Sequence, residues 1–157
     1  MPEDSDQNLA LARAREAFES GNIGSLTVCQ SGRVGNPVPV RSPDGGLHSW
    51  FVPVIVGDLL AGFIEYQPDL TLVRYSSFQR REESMEGCPA AALWLDTTVI
   101  QSQLKSSVRP GEKVRETFLT YDTAPSHLAW AVVVESPDGT TRTLHVAGST
   151  VWEAAGR

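Results

Sequence analysis

Apolar residues gather in two dense blocks along the chain, each opened by a tryptophan. Trp50 begins Trp50-Phe51-Val52-Pro53-Val54-Ile55-Val56, and eighty positions later Trp130 begins Trp130-Ala131-Val132-Val133-Val134. Shorter runs separated by turn residues follow each block, a pattern of antiparallel strands in a meander. The first meander is expected as Leu47 to Val56, Leu59 to Tyr66 and Leu70 to Tyr75, joined at Gly57-Asp58 and Gln67-Pro68-Asp69. In its middle strand Leu60, Gly62, Ile64 and Tyr66 read as the buried face, alternating with Ala61, Phe63 and Glu65. Pro53 lacks an N–H, which puts the first strand at an edge or gives it a bulge. The second meander is expected at about Glu112 to Tyr121, His127 to Glu135, Thr140 to Val146 and Thr150 to Glu153, with Ser136-Pro137-Asp138-Gly139 as a type I turn.

Helical patterns precede both blocks. Asp6 or Ser5 is expected to cap a helix to about Ser20, with Ala10, Leu11, Ala14, Ala17 and Phe18 on one side and Gly21-Asn22 as its stop. Ser25 to Gln30 is a short β-branched run, Gly32 to Gly35 a loop, and Pro37 to Val40 an extended segment. Ala90 to Leu95 predicts a helical turn, and Asp96 caps a second helix through about Ser106 on the stripe Val99, Ile100, Gln103 and Leu104.

Matching Trp50 to Trp130 aligns helix with helix and meander with meander, which predicts an αββββ order used twice. Ser42-Pro43-Asp44-Gly45 recurs at Ser136 to Gly139 at a different offset, and unrelated hairpins reach such a turn independently. The expected organisation is a first αβ unit over residues 1–78, a polar linker over 79–93 and a second αβ unit over 94–157, the whole being α+β with antiparallel sheet wrapped around helices.

Composition narrows the function classes. Nineteen acidic against thirteen basic residues give a net charge of −6 with no basic run beyond Arg80-Arg81, which argues against a nucleic-acid partner. No apolar run approaches the roughly 20 residues of a membrane span, and the acidic start is unlike a signal peptide. The expectation is therefore a cytoplasmic protein. Cys29 and Cys88 have no CxxC or histidine-pair context, so they read as reduced, buried thiols, and neither a metal site nor a cofactor is expected.

No nucleophile elbow and no phosphate loop is present, so no catalytic residue is assigned. Cys88 sits among Glu82, Glu83 and Glu86, surroundings that disfavour a thiolate. His48 and His127 lie just before Trp50 and Trp130, at the entrance of equivalent strands, while His145 alternates with Leu144 and Val146 and reads as outward-facing. Aromatic residues are the better lead. Most belong to a core, and Trp50, Trp130, Trp152 and Tyr66, with His48 and His127, form the candidate binding set.

A helix followed by an antiparallel meander, carried by Ala10 to Phe18, Trp50 to Tyr66 and Leu128 to Val151, resembles PepSY-type and other cystatin-like modules. The resemblance implies two such units and a non-catalytic role in binding or regulation, with a protein or peptide partner or a second copy of the chain. A different class is a small enzyme or small-ligand carrier using an apolar crevice between helix and sheet. A pocket holding one of His48, His127 or His145 beside a buried carboxylate would favour that class, and an unpaired edge strand with an aromatic surface would favour the partner-binding one.

Overall fold

The computed structural model describes residues 2–21 and 23–154. It is α+β, and the chain divides into two compact units: residues 1–40 with 47–91, and residues 41–46 with 92–157.

In the first unit α1 (Pro2–Glu19) starts earlier than the cap at Ser5 or Asp6 expected from sequence. Pro2 suits a first helical turn, where no N–H partner is required. Ala10 and Ala14, one turn apart, are fully buried, and Gly21 at φ +78 ends the helix, its N–H donating to the Phe18 carbonyl. Asn22 lies outside the described residues.

The β-branched run after it is helical, as α2 (Leu26–Ser31). Local capping decides this: the Ser25 hydroxyl accepts from the Val28 N–H at 3.3 Å. The expected loop at Gly32 is a strand, β1 (Gly32–Val34), paired antiparallel with Val54–Val56. The strands β2 (Val38–Arg41), β3 (Leu47–Val56), β4 (Leu59–Tyr66) and β5 (Leu72–Ser77) follow, and within the unit they lie in that order. Pro53 is therefore not at an edge. Its carbonyl accepts from the Gly35 N–H at 2.8 Å, and the register against β4 shifts immediately afterwards, between Val54 and Ile55.

Pairing fixes the faces of this sheet. Trp50 opposes Tyr66, Val52 opposes Ile64 and Val54 opposes Gly62, and all of these but Gly62 share a core with Ala10, Ala14 and Val28. The alternate face of β4 is buried too, correcting the half-buried expectation: Ala61 and Phe63 are 0% and 6% exposed. Phe63 stacks on Phe51 at 4.5 Å and has Phe78 at 6.2 Å. Within residues 79–91, Met85 and Cys88 pack against the first unit's core.

In the second unit α3 (Ala92–Leu95) and α4 (Thr97–Ser102) precede β6 (Lys113–Tyr121), β7 (Leu128–Glu135), β8 (Thr141–Ala147) and β9 (Thr150–Glu153), neighbours in sequence order and all antiparallel. Asp96 caps α4 as expected, accepting from the Thr98 and Val99 N–H groups. The helix is shorter than anticipated and gives way to turns after Ser102.

One face of this sheet carries Leu119, Trp130, Val132, Leu144 and Val146, all at most 5% exposed. It meets the helical segment through two bonds, Trp130 Nε1–H to the Trp94 carbonyl at 2.9 Å and Gln101 to the Thr117 hydroxyl at 3.0 Å. Trp130→Phe keeps most of the ring volume but removes the buried indole donor to the Trp94 carbonyl, so it is expected to cost roughly 1–3 kcal/mol, read from the urea midpoint at unchanged slope.

Candidate functional site

The opposite face of the second unit's sheet carries the site. Strand pairing lays one residue from each strand in a lateral row: Phe118 opposes Ala131, Ala131 opposes His145, and His145 opposes Trp152. Period-two alternation puts Thr120 and Thr143 on the same side. A recess of about 300 Å³ opens over this row, bounded also by Pro43, Tyr121, Asp122, Thr123 and Ala154. Ala131 is the small residue in the row, and its missing volume lies between two large rings. The 41–46 segment is tied to the site by the Thr120 hydroxyl, which donates to the Arg41 carbonyl at 2.6 Å.

His145 is the polar centre of the recess. It is 7% exposed, which corrects the outward placement read from alternation, because the second face of the strand is covered as well. Its Nδ1 is buried without a hydrogen-bond partner and lies 4.0 Å from Asp122 Oδ2. That same carboxylate oxygen accepts from Trp152 Nε1–H at 3.0 Å. The Trp152 ring meets His145 edge-on at 5.4 Å and lies nearly parallel to His127 at 6.0 Å. Burial pushes the His145 imidazolium below its ordinary range; the Asp122 carboxylate opposes this and nearby His127 adds to it. At neutral pH the ring is uncharged, so one nitrogen can donate and the other can accept.

The six residues singled out from sequence separate into four settings. Trp50 and Tyr66 oppose each other in the first unit's core at 0% and 3% exposure, and burial raises the Tyr66 hydroxyl. Trp130 is buried on the helix-facing side of its sheet. His48 sits at the start of β3, its Nδ1 3.0 Å from the Ser49 hydroxyl. Trp152 and His127 are brought together around Asp122 and His145. Both cysteines are free thiols, half-buried, and burial raises Cys88. No group of His, Cys, Asp and Glu among the described residues is arranged to hold a metal ion.

No protein-family model, curated protein or solved structure matches the chain. Among the described residues no helix is long and apolar enough to cross a membrane. The chemistry of the recess therefore rests on its own residues. Phe118 was among the aromatic residues expected to line a sheet face, whereas Asp122 was not singled out from sequence. The available signal was alternation along β6, which sets Phe118 and Thr120 together and delivers Asp122 at the strand's end, but their partners come from three other strands.

Proposed function

We propose that the chain is a non-catalytic binding module whose second unit takes a small, mainly apolar ligand into the recess over Phe118, Ala131 and His145. The observation that carries this reading is His145: a buried imidazole with an unpaired nitrogen, at the wall of a recess lined otherwise by apolar groups, threonine hydroxyls and the Asp122 carboxylate. An unpaired buried nitrogen costs free energy that a ligand, or a small closure onto Asp122, would recover. The recess sits at the small end of the range for ligand sites, which suits a compact molecule.

The repeated order of helices followed by a sequential meander supports two units of one design, as the resemblance to PepSY-type and cystatin-like modules implies. That resemblance also favours binding over catalysis.

A second reading, with a protein or peptide partner, draws on β5. This strand ends the strand order of the first unit and holds Leu72 and Val73 at 48% and 46% exposure. Strand addition at such an edge is a common mode of peptide capture.

One experiment separates the two readings. Amide and side-chain NMR shifts are followed while a set of small aromatic and aliphatic fragments is titrated. The recess reading expects shifts at Phe118, Thr143 and His145, lost in Ala131→Leu, which fills the floor. Shifts confined to residues 72–77 in the presence of lysate peptides, with the recess silent to every fragment, would overturn it in favour of the edge strand.

A further inference from the structure

We infer that the ligand of the recess carries a primary ammonium group on a small apolar body, with Asp122 as its counter-charge; this rests on the recess being a ligand site, as proposed above. The charges lining the recess are one-sided. Among the described residues Asp122 is the only acidic one that lines it, and no lysine or arginine does. The carboxylate is half-buried, its side chain 26% exposed. Oδ2 is engaged by the Trp152 N–H, and among the described residues no side chain or backbone group donates to Oδ1. Oδ1 is thus open to a charged donor brought by a ligand.

The rest of the lining fits the same group. An ammonium brings three donors and no acceptor. The lining also offers acceptors: the neutral imidazole of His145 and the hydroxyls of Thr123 and Thr143. The ring of Phe118 borders the recess, and aromatic faces attract a cation. A ligand carboxylate would meet Asp122 as a like charge, and a neutral alcohol would leave it without its counter-charge. His127 lies beyond the Trp152 ring, on its stacked side.

The test compares phenethylamine, phenethyl alcohol and hydrocinnamate, which share a phenyl body and differ in the charge at its end. Affinities are measured by calorimetry on the full chain and on Asp122→Asn. Asparagine keeps an oxygen for the Trp152 N–H, and folding of the variant is checked from its NMR spectrum.

The expected result is that the amine binds about tenfold to a hundredfold more tightly than the alcohol. Hydrocinnamate should bind weakest, and the preference for the amine should vanish in Asp122→Asn while alcohol binding persists. Raising salt should weaken the amine and leave the alcohol unchanged. Equal binding of amine and alcohol, or tightest binding of hydrocinnamate, overturns the ammonium assignment and leaves the recess as a ligand site. Absence of all three from the recess, with Ala131→Leu indistinguishable from the parent chain, overturns both.

Discussion

Gly62→Ala is expected to cost roughly 3 kcal/mol, lowering the melting temperature by about 6–12 °C for a chain of this size. Gly62 lies in the middle of β4, opposite Val54 on β3 and Ser77 on β5. A Cβ placed there would stand 2.4 Å from the Ser76 carbonyl oxygen and 2.5 Å from the Tyr75 hydroxyl. The first obstacle is backbone of a paired strand, so a rotamer change cannot relieve it. Either β5 peels away from β4 or the sheet bends, and each loses ladder hydrogen bonds. The Tyr75 hydroxyl is already buried without a partner, which leaves no slack on that side. Gly45→Ala provides the contrast, since nothing stands within 4 Å of its added carbon and only its φ of +96 opposes the change. Chemical denaturation followed by tryptophan fluorescence checks both. A Gly62→Ala protein as stable as the parent would show that β5 is not held against β4 as described.

Much of this architecture was legible because strand signals are local. The limits of β3 and β4 follow from Trp50 to Val56 and Leu59 to Tyr66 with Gly57-Asp58 between them, and the Asp96 cap is a three-residue event. The two elements misread in residues 25–35 were decided by contacts that local sequence does not display. Ser25 turns a β-branched run into α2 by capping it, and β1 exists because residues 54–56, twenty positions on, offer a free ladder. Face assignment failed for a related reason. Alternation marks one buried side only when the other meets water, and both sides of β4 and of β8 are covered around Phe63 and His145. The candidate site was half legible: the Trp152 and His127 side chains were singled out as aromatic and titratable, but their convergence on Asp122 is set by the β6 to β9 register.

Acid is expected to destabilise the second unit in two stages, and the lower stage should shrink in Glu112→Gln. Arg142 on β8 gathers this end of the sheet. It donates twice to Glu112 at 2.8 Å, once to Glu153 at 2.7 Å and once to the Ser107 carbonyl at 2.7 Å. The Glu112 side chain is 4% exposed, and the Arg142 guanidinium with the Arg109 N–H holds its carboxyl down at about 2, against 4.5 ordinarily. The sign follows from which state takes up the proton first. Between pH 4.5 and about 2 the unfolded chain protonates Glu112 while the folded chain resists. Stability from the pair is therefore complete above 4.5 and is lost as pH falls through that window. His145 supplies the earlier stage. Its folded value is depressed below 6.5, so the unfolded chain binds that proton first and stability begins to fall below pH 6.5. Glu112→Gln should run parallel to the parent from pH 7 to 5, displaced by on the order of tenfold in the unfolding constant. The two curves should converge near pH 2, where the parent's own carboxyl is protonated. His145→Gln should instead flatten the region just below pH 6.5 and leave the lower stage intact. Urea unfolding at a series of pH values reads all three curves. A Glu112→Gln protein that keeps the parent's full loss below pH 4.5 would mean that the acid-labile link lies elsewhere. The exposed Asp138 turn, where Ser136 and Thr140 hold the carboxyl at about 2, is then the group to substitute next.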